Sequence, residues 1–106
     1  MVSIYLNMEK HQLMIDGHAG AAEPGKDLVC CAISILAESL SRYLEARESM
    51  GNLKYVINEV KPGKTFISTV PSEWSVKEIQ GAFAMTREGL RALAEEYPEN
   101  IKMEEV

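Results

Sequence analysis

The chain has 106 residues, 46% of them hydrophobic and 25% charged, with a formal net charge of -5. That is the size and balance of a single soluble domain over residues 1–106, able to bury a core without help from metal or disulfide. Lys and Arg are scattered, which sets aside direct nucleic-acid binding, and no apolar run approaches the ~20 residues that span a bilayer, so no membrane partner is expected.

The N-terminus "MVSIYLNMEK" lacks a secretory-signal pattern, so a cytoplasmic protein with cysteines kept as thiols is expected. "VSIYLN" alternates Val2, Ile4 and Leu6 with Ser3, Tyr5 and Asn7, the pattern of a half-buried strand. A polar reversal at "MEKH" follows, where His11 reads as a solvated side chain. "QLMIDGHA" alternates again and completes a hairpin, with His18 near its end. "GAAEPGK" reads as a loop.

Asp27 is the expected N-cap of a first helix. Leu28, Ala32, Ile35, Leu36, Ser39 and Tyr43 follow a 3.6-residue period there, and Val29, Ile33, Leu40 and Leu44 widen the stripe. The helix should end before "SMGN", where Gly51 can cap it. "LKYVINEV" and "KTFISTV" are strands around the turn "KPG". "PSEWSVKEIQ" opens a second helix capped by Ser72 or Ser75, with Val76, Ile79, Phe83, Leu90, Leu93 and Tyr97 on its buried side. Gly81 and Gly89 weaken that helix but permit close packing; Trp74, Phe83 and Tyr97 read as packing residues. Pro98 ends the helix; "NIKMEEV", within an acidic tail read as solvated surface, adds a last edge strand. The expected fold is α+β: a mostly antiparallel sheet with two amphipathic helices on one face, in the order ββαββαβ.

The stretch "DGHAGAAEPGKDLVCC" gathers His18, Cys30 and Cys31 around a glycine-bearing loop. It places Cys30 in the first turn of the first helix, three residues after Asp27. The thiolate, not the thiol, is the nucleophile, and a helix N-terminus or a neighbouring imidazolium favours it. Cys30 has both if the loop folds His18 back towards it. Unpaired N–H groups of the first turn could then hold an oxyanion, and His18 could protonate a leaving amine. Asp27 could cap the helix, orient His18, or do both. On residue chemistry alone most free cysteines only pack, and Cys31 reads as a small apolar helix residue. His11, His18, Cys30 and Cys31 show no C-x-x-C or H-x-x-x-H spacing, so neither metal nor cofactor is expected.

The whole stretch "GHAGAAEPGKDLVCCAIS" closely resembles the signature of the ribosomal-processing cysteine protease family, the Prp-like proteins. Gly17, His18 and Ala19 match its Gly-His-Ala; Gly25, Asp27, Leu28, Val29 and Cys30 match its Gly-x-Asp-(Ile/Leu)-Val-Cys; Ser34 matches its helix serine. The resemblance implies that Cys30 is the nucleophile and His18 its base or ion-pair partner, with Asp27 and Ser34 in support. It also implies a homodimer and a protein substrate, large-subunit ribosomal protein twenty-seven, from which an N-terminal extension is removed. Phage-encoded relatives would trim virion proteins instead. A non-catalytic ribosome- or assembly-binding protein on the same fold is the alternative of a different class. Cys31 departs from the family, which has Ala there.

Overall fold

The N-terminal alternation becomes strand β1 (Val2–Asn7), and the second run becomes β2 (Gln12–Asp16). The computed structural model describes residues 1–18 and 27–106, so the loop expected over residues 20–26 lies outside the described residues. Helix α1 (Leu28–Ser49), strands β3 (Leu53–Lys61) and β4 (Lys64–Pro71), helix α2 (Val76–Glu96) and strand β5 (Ile101–Glu105) complete the order ββαββαβ. A single 3-10 turn, Glu73–Ser75, leads into α2.

The five strands lie in the order β3-β4-β2-β1-β5. All neighbours are antiparallel except β1 and β5, which run parallel because α2 carries the chain back across before β5 begins. Ile4 sits opposite Ile15 and Leu6 opposite Leu13, so these apolar residues share one face. Ser3 and Met14 on the other face are exposed. The covered face joins Val29, Ile33, Leu40 and Leu44 of α1 and Ile79, Phe83 and Leu90 of α2 in one core. Truncating one such leucine to alanine typically costs about 2–5 kcal/mol. The helices also touch each other: a Cβ on Gly89 would lie 2.8 Å from Leu36 Cδ2, whereas one on Gly81 would meet nothing. Gly89 therefore carries the close packing expected of the pair.

Five expectations are corrected. The stripe of α1 has a different centre: Val29, Ile33, Ala37, Leu40, Ser41 and Leu44 are buried, while Leu28 is 78% and Ile35 60% exposed. Apolar residues cover so much of this helix that periodicity alone left its rotation open. Ser72 and Ser75 stand at the N-cap positions of the 3-10 turn and of α2, but neither side chain makes a capping hydrogen bond; the Ser72 hydroxyl donates to the Gly51 carbonyl instead, at 2.9 Å. Trp74 is exposed rather than packed. The acidic tail is not wholly solvated, since Ile101 enters the core and Arg91 holds Glu105 in a two-pronged ion pair with bonds of 2.6 and 2.8 Å.

His11 is the fifth. It is buried, with φ of 53°, and its ring meets Phe83 edge-on at 5.6 Å between centroids. Burial lowers its pKa below the ordinary 6.5. The unfolded chain therefore takes up this proton first as pH falls, and the stability tied to neutral His11 is present above about 6.5 and lost below it. Thermal melts from about pH 7.5 to about pH 5.5 should show Tm falling in wild type and falling less in His11→Asn, a residue that tolerates left-handed backbone. Parallel slopes would remove His11 as the source.

Candidate active site

The site begins with strand register. β2 pairs with β4 so that Asp16 lies opposite Lys64. The next residue, Gly17, thereby reaches the β3–β4 turn, and its N–H donates to the Gly63 carbonyl at 2.9 Å. Gly17 has φ of 101° and Gly63 of 73°, a region that L side chains avoid. A Cβ on Gly17 would stand 2.5 Å from the Met1 carbonyl oxygen, and one on Gly63 would stand 2.7 Å from His18 Nε2. The imidazole of His18 thus rests on the bare backbone of Gly63.

The sulfur is placed by a helix cap. Asp27 is buried in extended conformation, and its Oδ1 accepts the Cys30 N–H at 3.0 Å. The Cys31 N–H donates to the Asp27 carbonyl at 3.1 Å. The cap takes up the Cys30 N–H and the first intrahelical bond takes up that of Cys31, so Leu28 and Val29 carry the first-turn N–H groups with no intrahelical carbonyl in reach.

His18 and Cys30 line the same small pocket, of about 40 Å³. Buried Val2, Ile15 and Ile33 form its apolar side, and exposed Lys61 and Lys64 bring positive charge to it. Neither cysteine is in a disulfide; Cys30 is half-buried and Cys31 exposed. Ser34 is not in this pocket. It is exposed one turn further along α1 and lines the neighbouring groove against β3. No trio of His, Cys, Asp or Glu is arranged for a metal among the described residues. No helix there is long and apolar enough to cross a membrane.

Gly63, Lys61 and Lys64 were missed by sequence reasoning, which saw in "KPG" only a turn. The signal lies in long-range register: the β2–β4 pairing sets that turn beside the end of β2. A small, largely apolar pocket lined by an imidazole, a half-buried thiol at a helix start and two lysines suits nucleophilic attack by sulfur on a carbonyl.

The family model described as cysteine protease Prp matches residues 1–102. The chain belongs to this family. Its activity is accordingly that of a cysteine protease, a hydrolase. The ribosomal processing cysteine protease Prp of Mycoplasma genitalium is 28% identical over 102 residues, covering 96% of this chain and 95% of that protein. The fold matches that of an essential ribosomal processing protease Prp from S. aureus in complex with a covalently linked product peptide, with a TM-score of 0.79 at 22% identity over all of both chains. The same S. aureus protease with a substrate peptide matches at 0.72 and 21% identity, again over all of both chains. SMU.848 from Streptococcus mutans matches at 0.66 and 22% identity, over 99% of this chain and 91% of that one. The α+β arrangement is thus that of the solved Prp structures.

Asp27 supports a direct test. Asp27→Ala is expected to cost about 1 kcal/mol through the lost cap, seen as a lower Tm. Asp27→Ser should restore both Tm and turnover if the carboxylate acts as a cap. Turnover that stays low while Tm recovers would assign the carboxylate to His18.

Proposed function

We propose that this Prp protein is a cytoplasmic endopeptidase that removes a short N-terminal extension from large-subunit ribosomal protein twenty-seven, with Cys30 as nucleophile and His18 as its proton partner. The observation that carries this reading is the meeting of His18 and Cys30 in one pocket at the start of α1. The ribosomal processing name of the M. genitalium relative and the peptide complexes of the S. aureus protease support the substrate class.

The chemistry follows from the placement. Lys61, Lys64 and the helix N-terminus favour negative charge on the Cys30 sulfur. The thiolate attacks the scissile carbonyl carbon, and the oxyanion forms opposite the Leu28 and Val29 N–H groups. The amine leaves with a proton from His18, and water, deprotonated by the same imidazole, attacks the thioester and frees the acid and Cys30. Asp27 holds the first turn in place, and Ser34 flanks the site on the groove side.

The protein acts as a homodimer in this reading. Exposed Ile35 and Met85 beside a groove formed by Ser39, Tyr43, Ala82 and Thr86 support an apolar contact across the two helices.

The test is intact mass spectrometry of the ribosomal-protein precursor after incubation with the protein. A single loss matching the N-terminal extension is expected; an unchanged mass would reject the substrate. The rate of iodoacetamide alkylation against pH, in Cys31→Ala protein, separates protease from binding protein. Alkylation that persists at acid pH fits a His18-paired thiolate, while the titration of an ordinary thiol would favour binding without catalysis.

A further inference from the structure

Beside the Cys30 pocket lies a much larger groove of about 520 Å³, between α1 and β3. Ser34, Glu38 and Arg42 form its helix side, and Asn58, Val60 and Lys61 its strand side. Lys61 lines both cavities, so the groove adjoins the pocket that His18 and Cys30 line.

Three features fit the groove to an extended peptide. First, β3 is an edge strand of the sheet. Lys61 pairs with Lys64 where the hairpin closes. Alternation in an antiparallel ladder then turns the backbone N–H and C=O of Asn58 and Val60 outward, to the unpaired edge. Second, the two walls of the groove are fixed relative to each other at its Ser41–Glu45 end by hydrogen bonds. Asn58 Nδ2 donates to the Ser41 carbonyl at 3.0 Å and to Glu45 Oε1 at 3.4 Å, tying β3 to α1. Third, its length is right: from Ser34 to Glu45 the helix advances about 16 Å, the span of about five residues of extended chain.

We propose that the substrate chain leaves the Cys30 pocket along this groove and pairs with the edge of β3 as an added strand. Its alternate side chains face Glu38 and Arg42, which select polar and charged residues several positions from the scissile bond. This rests on the reading of His18 and Cys30 as the cleavage site. The partner is an extended polypeptide segment, held by main-chain hydrogen bonds and read by side chains of one parity.

The experiment compares a short peptide, two residues either side of the scissile bond, with peptides extended by five residues on the N-terminal or the C-terminal side. One extended series should show a KM about tenfold below that of the short peptide at similar kcat. Val60→Pro, which removes an outward N–H from the edge, and Arg42→Glu should each abolish that gain and leave short-peptide cleavage unchanged. Arg42 is exposed and its 3.7 Å ion pair with Glu38 contributes little, so this variant folds even if the proline does not. Equal KM for short and extended peptides, or a gain that survives both variants, would overturn the groove. If wild type cleaves no peptide, the cleavage reading fails instead. The groove is then judged by fluorescence anisotropy of the long peptides on Cys30→Ala protein, where binding lost in Arg42→Glu supports it and equal binding overturns it.

Discussion

Cys30→Ala is expected to reduce kcat/KM for peptide cleavage by about 10⁴-fold or more. Among the described side chains that line the pocket, which include the Thr65 hydroxyl, the His18 imidazole and two lysines, the thiol is intrinsically the strongest nucleophile towards a carbonyl near neutral pH. The substitution leaves the scaffold alone. The cap on this turn runs from the Cys30 backbone N–H to Asp27 Oδ1, which alanine keeps, and alanine is a better helix former than cysteine. Tm should therefore hold while activity goes. His18→Ala should lose a comparable factor, and the double variant no more than the worse single one, because nucleophile and proton partner act as a unit. Cys31→Ala should keep wild-type turnover, since its exposed side chain lies outside the pocket. Residual cleavage in Cys30→Ala that disappears in Cys31→Ala would move the nucleophile by one residue and break the proposal.

The site divides into parts that local sequence encodes and parts that it does not. Asp27 was legible as a cap because the chemistry of a helix start is local: a carboxylate, then a donor three residues on. The strands were legible because a period of two survives in β1 and β2 without knowledge of their neighbours. The rotation of α1 was not, since Leu28 and Ile35 are as apolar as Val29 and Ile33, and only packing against β3 and α2 decides which set is buried. His11 was misread for the same reason. A polar residue in a reversal is normally solvated, but Phe83, 72 positions later in the chain, closes over this one. The seat under His18 belongs to this class too. It exists because Asp16 registers with Lys64, and nothing in "GHA" or "KPG" alone announces that pairing.

That seat yields the sharpest separation of stability from catalysis. Gly63 and Gly51 have nearly the same backbone, with φ of 73° and 79°. Alanine at either position should therefore cost about 1–2 kcal/mol for left-handed backbone. Their surroundings differ. A Cβ on Gly51 meets nothing within 4 Å, whereas one on Gly63 falls 2.7 Å from His18 Nε2 and 3.0 Å from Cε1. The imidazole is exposed and can swing away, so the fold absorbs the clash while the proton partner loses its position over the pocket. Gly63→Ala is expected to lower kcat by about 10²-fold, the cost of displacing a reacting group by roughly an ångström. Gly51→Ala should show a similar fall in Tm with turnover unchanged. The sign of a displaced imidazole rather than general loosening is a changed pH profile of kcat in Gly63→Ala alone. If the two variants lose activity equally, the contact between Gly63 and His18 does not position the base.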